Sequence, residues 1–364
     1  MDSLILGILG EILGSNILNA NVLSKENSRF TKKKYGDAYI EKALSKANRN
    51  ITIFFLLGGV NKDISQDKYS FGALMLMATL KGILNNKNNY KKSCEDEYIR
   101  VFKKVGPKKL DNTYFMNNVY IKTLESLSDK TGIYSKANDA SVITRVLPFG
   151  LLFWKKEQRK ELITEIINNI SLTNKNNTCY LAAITLGLFV SFKKNGIDKK
   201  LWKSKLVEYL LSSNFDDIIK EMKLYSTEFL LDKEDYISLW DRVIPDNRNP
   251  SFESKLQMMM IRPRYLFYVF NDVSADEFIY GLKADEAILI AYESLLLGED
   301  NWEKMIVYGV LGITDNSIMG MLCGMLFGID NQISINKSIN VEQFRNENWV
   351  KKILSMGKEL KLEK

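Results

Sequence analysis

The stretch Val307–Ile329, VYGVLGITDNSIMGMLCGMLFGI, decides how the rest of the chain is read. It is long enough to cross a bilayer as a helix, yet Asp315 and Asn316 stand in its middle, where a charge and an amide are costly in lipid. Its glycines Gly320, Gly324 and Gly328 recur every four residues, so they share a helical face that a second helix can approach closely. A buried helix of a soluble protein is the reading that fits, and Asp315 or Asn316 is placed to cap its N-terminus. The Met-rich stretches Leu74–Met77 and Met319–Met325 read as core packing.

Outward from this stretch the helical period continues. Leu162, Ile163, Ile166, Ile167 and Ile170 line one face of QRKELITEIINNI, and Leu289, Ile290, Leu295 and Leu296 line another helix. Ser274-Ala275-Asp276-Glu277 reads as a capping box ahead of FIYGL. Ser70 is placed to cap a helix over Leu74–Leu84. Prolines fall only at Pro107, Pro148, Pro245, Pro250 and Pro263, and few segments alternate with period two. The fold class is therefore all-α. With no Pro-, Gly- or Ser-rich boundary, one domain over 1–364 is expected, in which NNKNNYKK (Asn85–Lys92) and NKNN (Asn174–Asn177) are exposed connections.

Composition removes whole classes of chemistry. The chain has 364 residues and no histidine, which excludes Ser-His-Asp triads, Cys-His pairs and imidazole metal sites. Cys94, Cys179 and Cys323 are too scattered for a closed metal site and read as reduced, buried thiols of a cytoplasmic protein. The first residues, MDSLILGILGEILG, carry Asp2 and Glu11 and lack a basic n-region, so no signal peptide and no membrane association are expected. No GxxxxGK[ST], GxGxxG, HExxH or GxSxG motif is present. The net charge of +7 comes from short lysine clusters, among them Lys103-Lys104, Lys108-Lys109 and Lys155-Lys156. Without interleaved aromatics they read as solvated faces, and a basic module for RNA or a ribonucleoprotein is a secondary reading.

Seven segments stand in a telling order: Gly10-Glu11-Ile12-Leu13-Gly14, Leu57-Gly58-Gly59, Ser70–Leu84, Ala140–Phe153, Ser171–Phe192, Leu289–Met305 and Thr314–Gly328. From residue 5 to about 330 this order resembles the ADP-ribosylglycohydrolase family, most closely its ADP-ribosylarginine hydrolase branch. The resemblance implies a single-domain orthogonal helical bundle with residues 331–364 as a helical C-terminal extension. It also implies a cleft with two magnesium ions, in which the family removes ADP-ribose from protein side chains.

Carried over residue by residue, the motifs are degenerate. The first metal motif, Ser/Thr-Asp-Asp-Thr, falls on Ser70-Phe71-Gly72-Ala73, and the second, Asp-x-Asp-Ser/Thr, on Asp315-Asn316-Ser317-Ile318. One carboxylate, Asp315, remains. The Gly-Asp-x-x-Gly position carries Glu11, and the phosphate-side loop carries Ser141 and Val142 ahead of Arg145, which is expected to pair with an acid. Asn174 stands where the family has the His of Thr-His-x-x-Pro. Magnesium takes about six oxygen ligands and needs carboxylate charge to offset its dehydration, so no magnesium is expected here. The vestigial metal positions are thus Ser70, Phe71, Gly72, Asp315, Ser317 and Ile318, and the vestigial ligand positions Glu11, Ser141, Val142 and Asn174.

The resulting expectation is a catalytically inactive relative with weak or absent ADP-ribose binding. Its partner would be an unidentified macromolecule, a protein or a ribonucleoprotein. The alternative is a working hydrolase with rebuilt ligands, for which Asp63, Asp67, Asp139, Asp285, Glu286 and, as a substitute charge, Lys68 are the candidates.

Overall fold

Apolar residues at helical spacing bury one stripe per helix, and the helices stack on those stripes. The computed structural model describes residues 1–22, 30–65, 67, 69–114, 118–244, 255–270, 277–278, 280–312 and 315–362. The all-α expectation holds; the strands among the described residues are a two-residue antiparallel pair of Phe30–Thr31 with Glu277–Phe278. The chain forms two compact units: Met1 with Tyr69–Trp240 and Asn348–Lys364, and Asp2–Lys68 with Asp241–Glu347. The expected C-terminal extension divides between them, and its one long helix is Asn348–Glu359.

In the first unit the helix Asn177–Lys194 is buried continuously from Cys179 to Phe192. Gly187 lets Leu162 and Ile166 of the Arg159–Ile170 helix reach its backbone, and Gly150 of the Leu147–Leu152 helix meets Gly187 and Val190. All five apolar residues expected on the Arg159–Ile170 face are buried. Phe189 continues the core into Trp202 and Trp240, with ring centroids 5.1 and 5.9 Å away. A second pair of helices, Phe71–Asn85 and Tyr90–Val105, crosses where Gly82 faces Cys94, with room for no Cβ.

In the second unit the helices Asp2–Val22 and Asn316–Asp330 pack backbone to backbone. A Cβ on Gly10 would collide with the carbonyl of Gly320, and one on Gly320 with the carbonyl of Gly10. Gly14 sits against the carbonyl of Asn316, Gly324 against that of Leu6, and Gly328 against Ser3. The close approach read from the glycine spacing is thus real, and its partner is the Gly7-x-x-Gly10-x-x-x-Gly14 face.

Four expectations need correction. The stretch Val307–Ile329 is not one helix: Trp302–Val310 and Asn316–Asp330 are separate, because Asp315 starts a new helix by capping it. Glu277 and Phe278 are extended rather than helical, and Ser274–Asp276 of the expected capping box lie outside the described residues. Asn174 is fully buried rather than exposed. The helix expected over Leu74–Leu84 runs Phe71–Asn85, and Ser70 occupies its N-cap position without a side-chain capping bond.

Candidate functional site

The residues singled out by the sequence lie in both units. In the first, Phe71 opens the Phe71–Asn85 helix with its side chain in the core, its ring centroid 6.0 Å from that of Tyr120. Where the resemblance places a carboxylate there is a buried aromatic ring. Gly72 is buried beside it and offers no side-chain donor.

Two loops of the same unit are stitched together. The Ser135 amide donates to Thr173 O and the Lys175 amide to Ser135 O, both at 2.9 Å. Asn174 Nδ2 donates to Ala137 O at 3.0 Å, while its Oδ1 accepts the amide of Asn176 at 2.8 Å. Asn174 therefore shapes the loop, and its polar side chain is accounted for by backbone. Asp139 accepts the amide of Ser141 at 2.8 Å and caps the short helical turn Ala140–Val142. Val142 is buried, and the buried Ser141 hydroxyl has no hydrogen-bond partner.

Arg145 is fully buried and its partners are neutral, which corrects the expected ion pair. Its Nε donates to Asn169 Oδ1 at 3.0 Å, and its Nη2 donates to Asn169 O at 3.1 Å and Thr173 Oγ1 at 2.8 Å. Nη1 donates to the Tyr120 hydroxyl, and the guanidinium lies 5.0 Å from the Tyr98 ring centroid. Burial lowers its pKa, an effect opposed by Tyr98, Cys94 and Cys179. The same burial pushes the Tyr98 hydroxyl up to about 12. No sequence pattern marks Tyr98, Tyr120 and Asn169 as a set, since they are spread over three helices.

In the second unit, Asp315 Oδ1 accepts the amides of Ser317 at 3.1 Å and Ile318 at 3.2 Å. This is N-cap geometry, and it commits one carboxylate oxygen to the helix start. Ser317 and Ile318 follow, both buried, the latter with no side-chain oxygen. Glu11 is fully buried on the Asp2–Val22 helix. Nearby, the Ser15 hydroxyl and Asn316 Nδ2 are buried without partners, on either side of the Gly14 contact.

The substitute ligands have other engagements. Asp63 accepts the amide of Ser65 at 2.9 Å, which lowers its pKa, and Asp67 pairs with Lys62 at 2.8 Å. Glu286 pairs with Lys283 at 2.9 Å and accepts the amide of Gly281 at 2.8 Å, its pKa raised chiefly by burial. Asp285 starts the same Ala284–Gly298 helix, and Lys68 lies outside the described residues. Among the described residues no three His, Cys, Asp or Glu side chains converge as a metal site. One further charge pair escaped the sequence reading: Arg262 Nη1 meets Glu293 Oε2 at 2.9 Å, buried, with Nη2 on Ser294 Oγ at 3.0 Å.

The family model described as ADP-ribosylglycohydrolase matches residues 8–335, and the chain belongs to that family. ADP-ribosyl glycohydrolase L444 of Acanthamoeba polyphaga mimivirus is 26% identical over 212 residues, 55% of this chain and 39% of that protein. ADP-ribosylhydrolase ARH1 of Dictyostelium discoideum is 26% identical over 250 residues, 58% of this chain and 62% of that protein. The match thus spans less than two thirds of each relative's length. A solved structure titled ADP-ribosylglycohydrolase-related protein complex shares the fold, with a TM-score of 0.50, 12% identity and coverage of 80% of this chain and 81% of that one. No helix among the described residues is long and apolar enough to cross a membrane.

Proposed function

We propose that this family member is catalytically silent, that it binds ADP-ribose weakly or not at all, and that it works by binding a macromolecule. One observation carries the reading: of the positions aligned with the metal motifs only Asp315 has a carboxylate, and its Oδ1 already accepts two backbone amides. Phe71, Gly72 and Ile318 supply no side-chain oxygen, so the residues present do not fit a pair of magnesium ions. Without that centre no step of hydrolysis is assigned to the chain. Three buried free thiols accord with a reducing compartment, and we assign the cytoplasm.

Thermal unfolding with saturating ADP-ribose, with and without magnesium, tests this. A ligand at a hundred times its Kd adds about 2.7 kcal/mol, a rise in Tm of roughly 2 °C or more. No shift is expected in either condition. A shift that requires magnesium, joined by release of ADP-ribose from modified arginine, would instead establish a working hydrolase with rebuilt ligands.

A further inference from the structure

The chain has one Asn-Gly pair, Asn195-Gly196, and it ends the long buried helix Asn177–Lys194 of the first unit. Gly196 takes φ +77°, which suits a residue without a side chain, and the helix closes behind it. The Gly196 amide donates to Lys193 O at 2.9 Å and the Ile197 amide to Phe192 O at 3.0 Å. Asn195 is exposed, yet its Nδ2 donates to Ser191 O at 2.7 Å and to Trp154 O at 3.1 Å. The second of these bonds ties the segment after the Leu147–Leu152 helix to the end of Asn177–Lys194. From the other side Trp202 Nε1 donates to Ile197 O at 3.0 Å.

The bland reading is a helix stop, and it accounts for Gly196 and for a polar residue before it. It leaves out the chemistry of the pair. An asparagine followed by glycine is the dipeptide most open to deamidation, because no side chain hinders the following nitrogen. That nitrogen gives its proton to a solvent base and attacks Asn195 Cγ. The new N–C bond closes a cyclic imide, the Cγ–Nδ2 bond breaks, and ammonia leaves. Water then opens the imide at either carbonyl, which yields aspartate or isoaspartate. Nothing is oxidised or reduced, and the co-reactant is water.

We propose that Asn195 is a deamidation site latched by its own turn, and that conversion keeps the turn from closing again. Closed, the turn opposes the reaction in two ways. The Gly196 N–H is committed to Lys193 O. With Asn195 at ψ 14°, the Gly196 nitrogen is also turned away from the side chain, whereas the imide needs both on one side of the Cα–C bond. Fraying of the helix end releases both restraints. After conversion to aspartate, a carboxylate faces Ser191 O and Trp154 O where a donor stood. It also sets a negative charge at a helix C-terminus, which the dipole disfavours. Isoaspartate lengthens the backbone by a methylene and displaces the Gly196 and Ile197 amides from their acceptors. The reaction therefore runs one way, and the tie between Trp154 and the helix end is lost with it.

The test is peptide mapping by mass spectrometry of the full chain held in mildly alkaline buffer, folded and in urea. In urea Asn195 should convert ahead of every other asparagine, and in the folded chain about tenfold more slowly or slower still. Trp202→Phe keeps a ring beside Phe189 and removes the donor to Ile197 O. Folded-state conversion should then quicken by about fivefold, the factor for one lost hydrogen bond, with the rate in urea unchanged. Asn195→Asp stands for the product. Its hydrogen exchange at Gly196 and Ile197 should quicken by about tenfold, while Ala182–Leu188 in the middle of the helix keeps its protection. Exchange in Ala182–Leu188 also establishes that both variants are folded. Equal rates folded and in urea, another asparagine leading in urea, or no response to Trp202→Phe would each overturn the proposal. So would an Asn195→Asp chain whose Gly196 and Ile197 amides stay as protected as in the parent, or whose whole helix loses protection.

Discussion

The helices Phe71–Asn85 and Asn316–Asp330 start at the two places where the resemblance proposes metal motifs, and they differ in what stands there. At the first an aromatic ring is packed on Tyr120, and Ser70 makes no side-chain cap. At the second the acid is kept and used as a cap. A surviving carboxylate is therefore poor evidence for a surviving ligand; what its oxygens already accept decides the matter. The two helices also meet their neighbours differently. One has a glycine contact at Gly82 on Cys94, whereas the other is pressed against Asp2–Val22 through Gly10, Gly14, Gly320, Gly324 and Gly328.

The largest effect that separates these packings is expected at Gly10. Gly10→Ala sets a methyl group against the carbonyl of Gly320, backbone against backbone, where no flexible group can yield. Urea unfolding should show a loss of about 3 kcal/mol or more. Gly82→Ala meets Cys94 Cα and Sγ at 2.8 Å, and a loss of about 1–3 kcal/mol is expected. A Gly10→Ala protein as stable as the parent would mean that the crossing is looser than described.

Thiol labelling sharpens the same contrast. Burial pushes the thiols of Cys94, in the first unit, and Cys323, in the second, up to about 12, so each should react only when its helix pair opens. In Gly10→Ala the labelling of Cys323, followed by mass spectrometry, should accelerate well beyond that of Cys94. Equal acceleration would show that the two units open together.

Arg145 comes next. Arg145→Met relieves the desolvation of a cation but leaves Asn169, Thr173 and the Tyr120 hydroxyl with unmade bonds in the interior. At about 1–3 kcal/mol for each unsatisfied buried group, less the recovered desolvation, a net loss of about 2 kcal/mol is expected. A gain in stability would show that these neutral oxygens do not balance the buried charge.

What the sequence made legible follows from range. The all-α class, the close approach at Gly320 and Gly324, the buried Met-rich stretches and the candidate cap at Asp315 depend on residues within a few turns of each other. Arg145 is illegible in the sequence because its partners, Tyr98, Tyr120, Asn169 and Thr173, are 24 to 47 positions away, and nothing local distinguishes a neutral cradle from an acid. The polar neighbours of Asn174 suggest exposure, yet it is buried and its amide donates to the backbone of Ala137. The break after Val310 was hidden by the continuous apolar composition on both sides. For the site, the resemblance only proposes positions, and it takes the geometry to show that Asp315 Oδ1 accepts two amides of its own helix.

The smallest effects bear most directly on that commitment. Asp315→Ala removes the acceptor of two amides, and a loss of about 1 kcal/mol is expected in urea unfolding. Asp315→Asn keeps a side-chain oxygen in the capping position, and asparagine caps about as well as aspartate, so a change of only a few tenths of a kcal/mol is expected. The pair of variants separates the two roles an acid can have here. A cap needs the oxygen and tolerates loss of the charge, whereas a magnesium ligand needs the charge. If adding magnesium stabilises the parent but not Asp315→Asn, the carboxylate is a ligand after all and the contrast between the two helix starts collapses. If the two respond alike to magnesium and differ little in its absence, the carboxylate serves the helix.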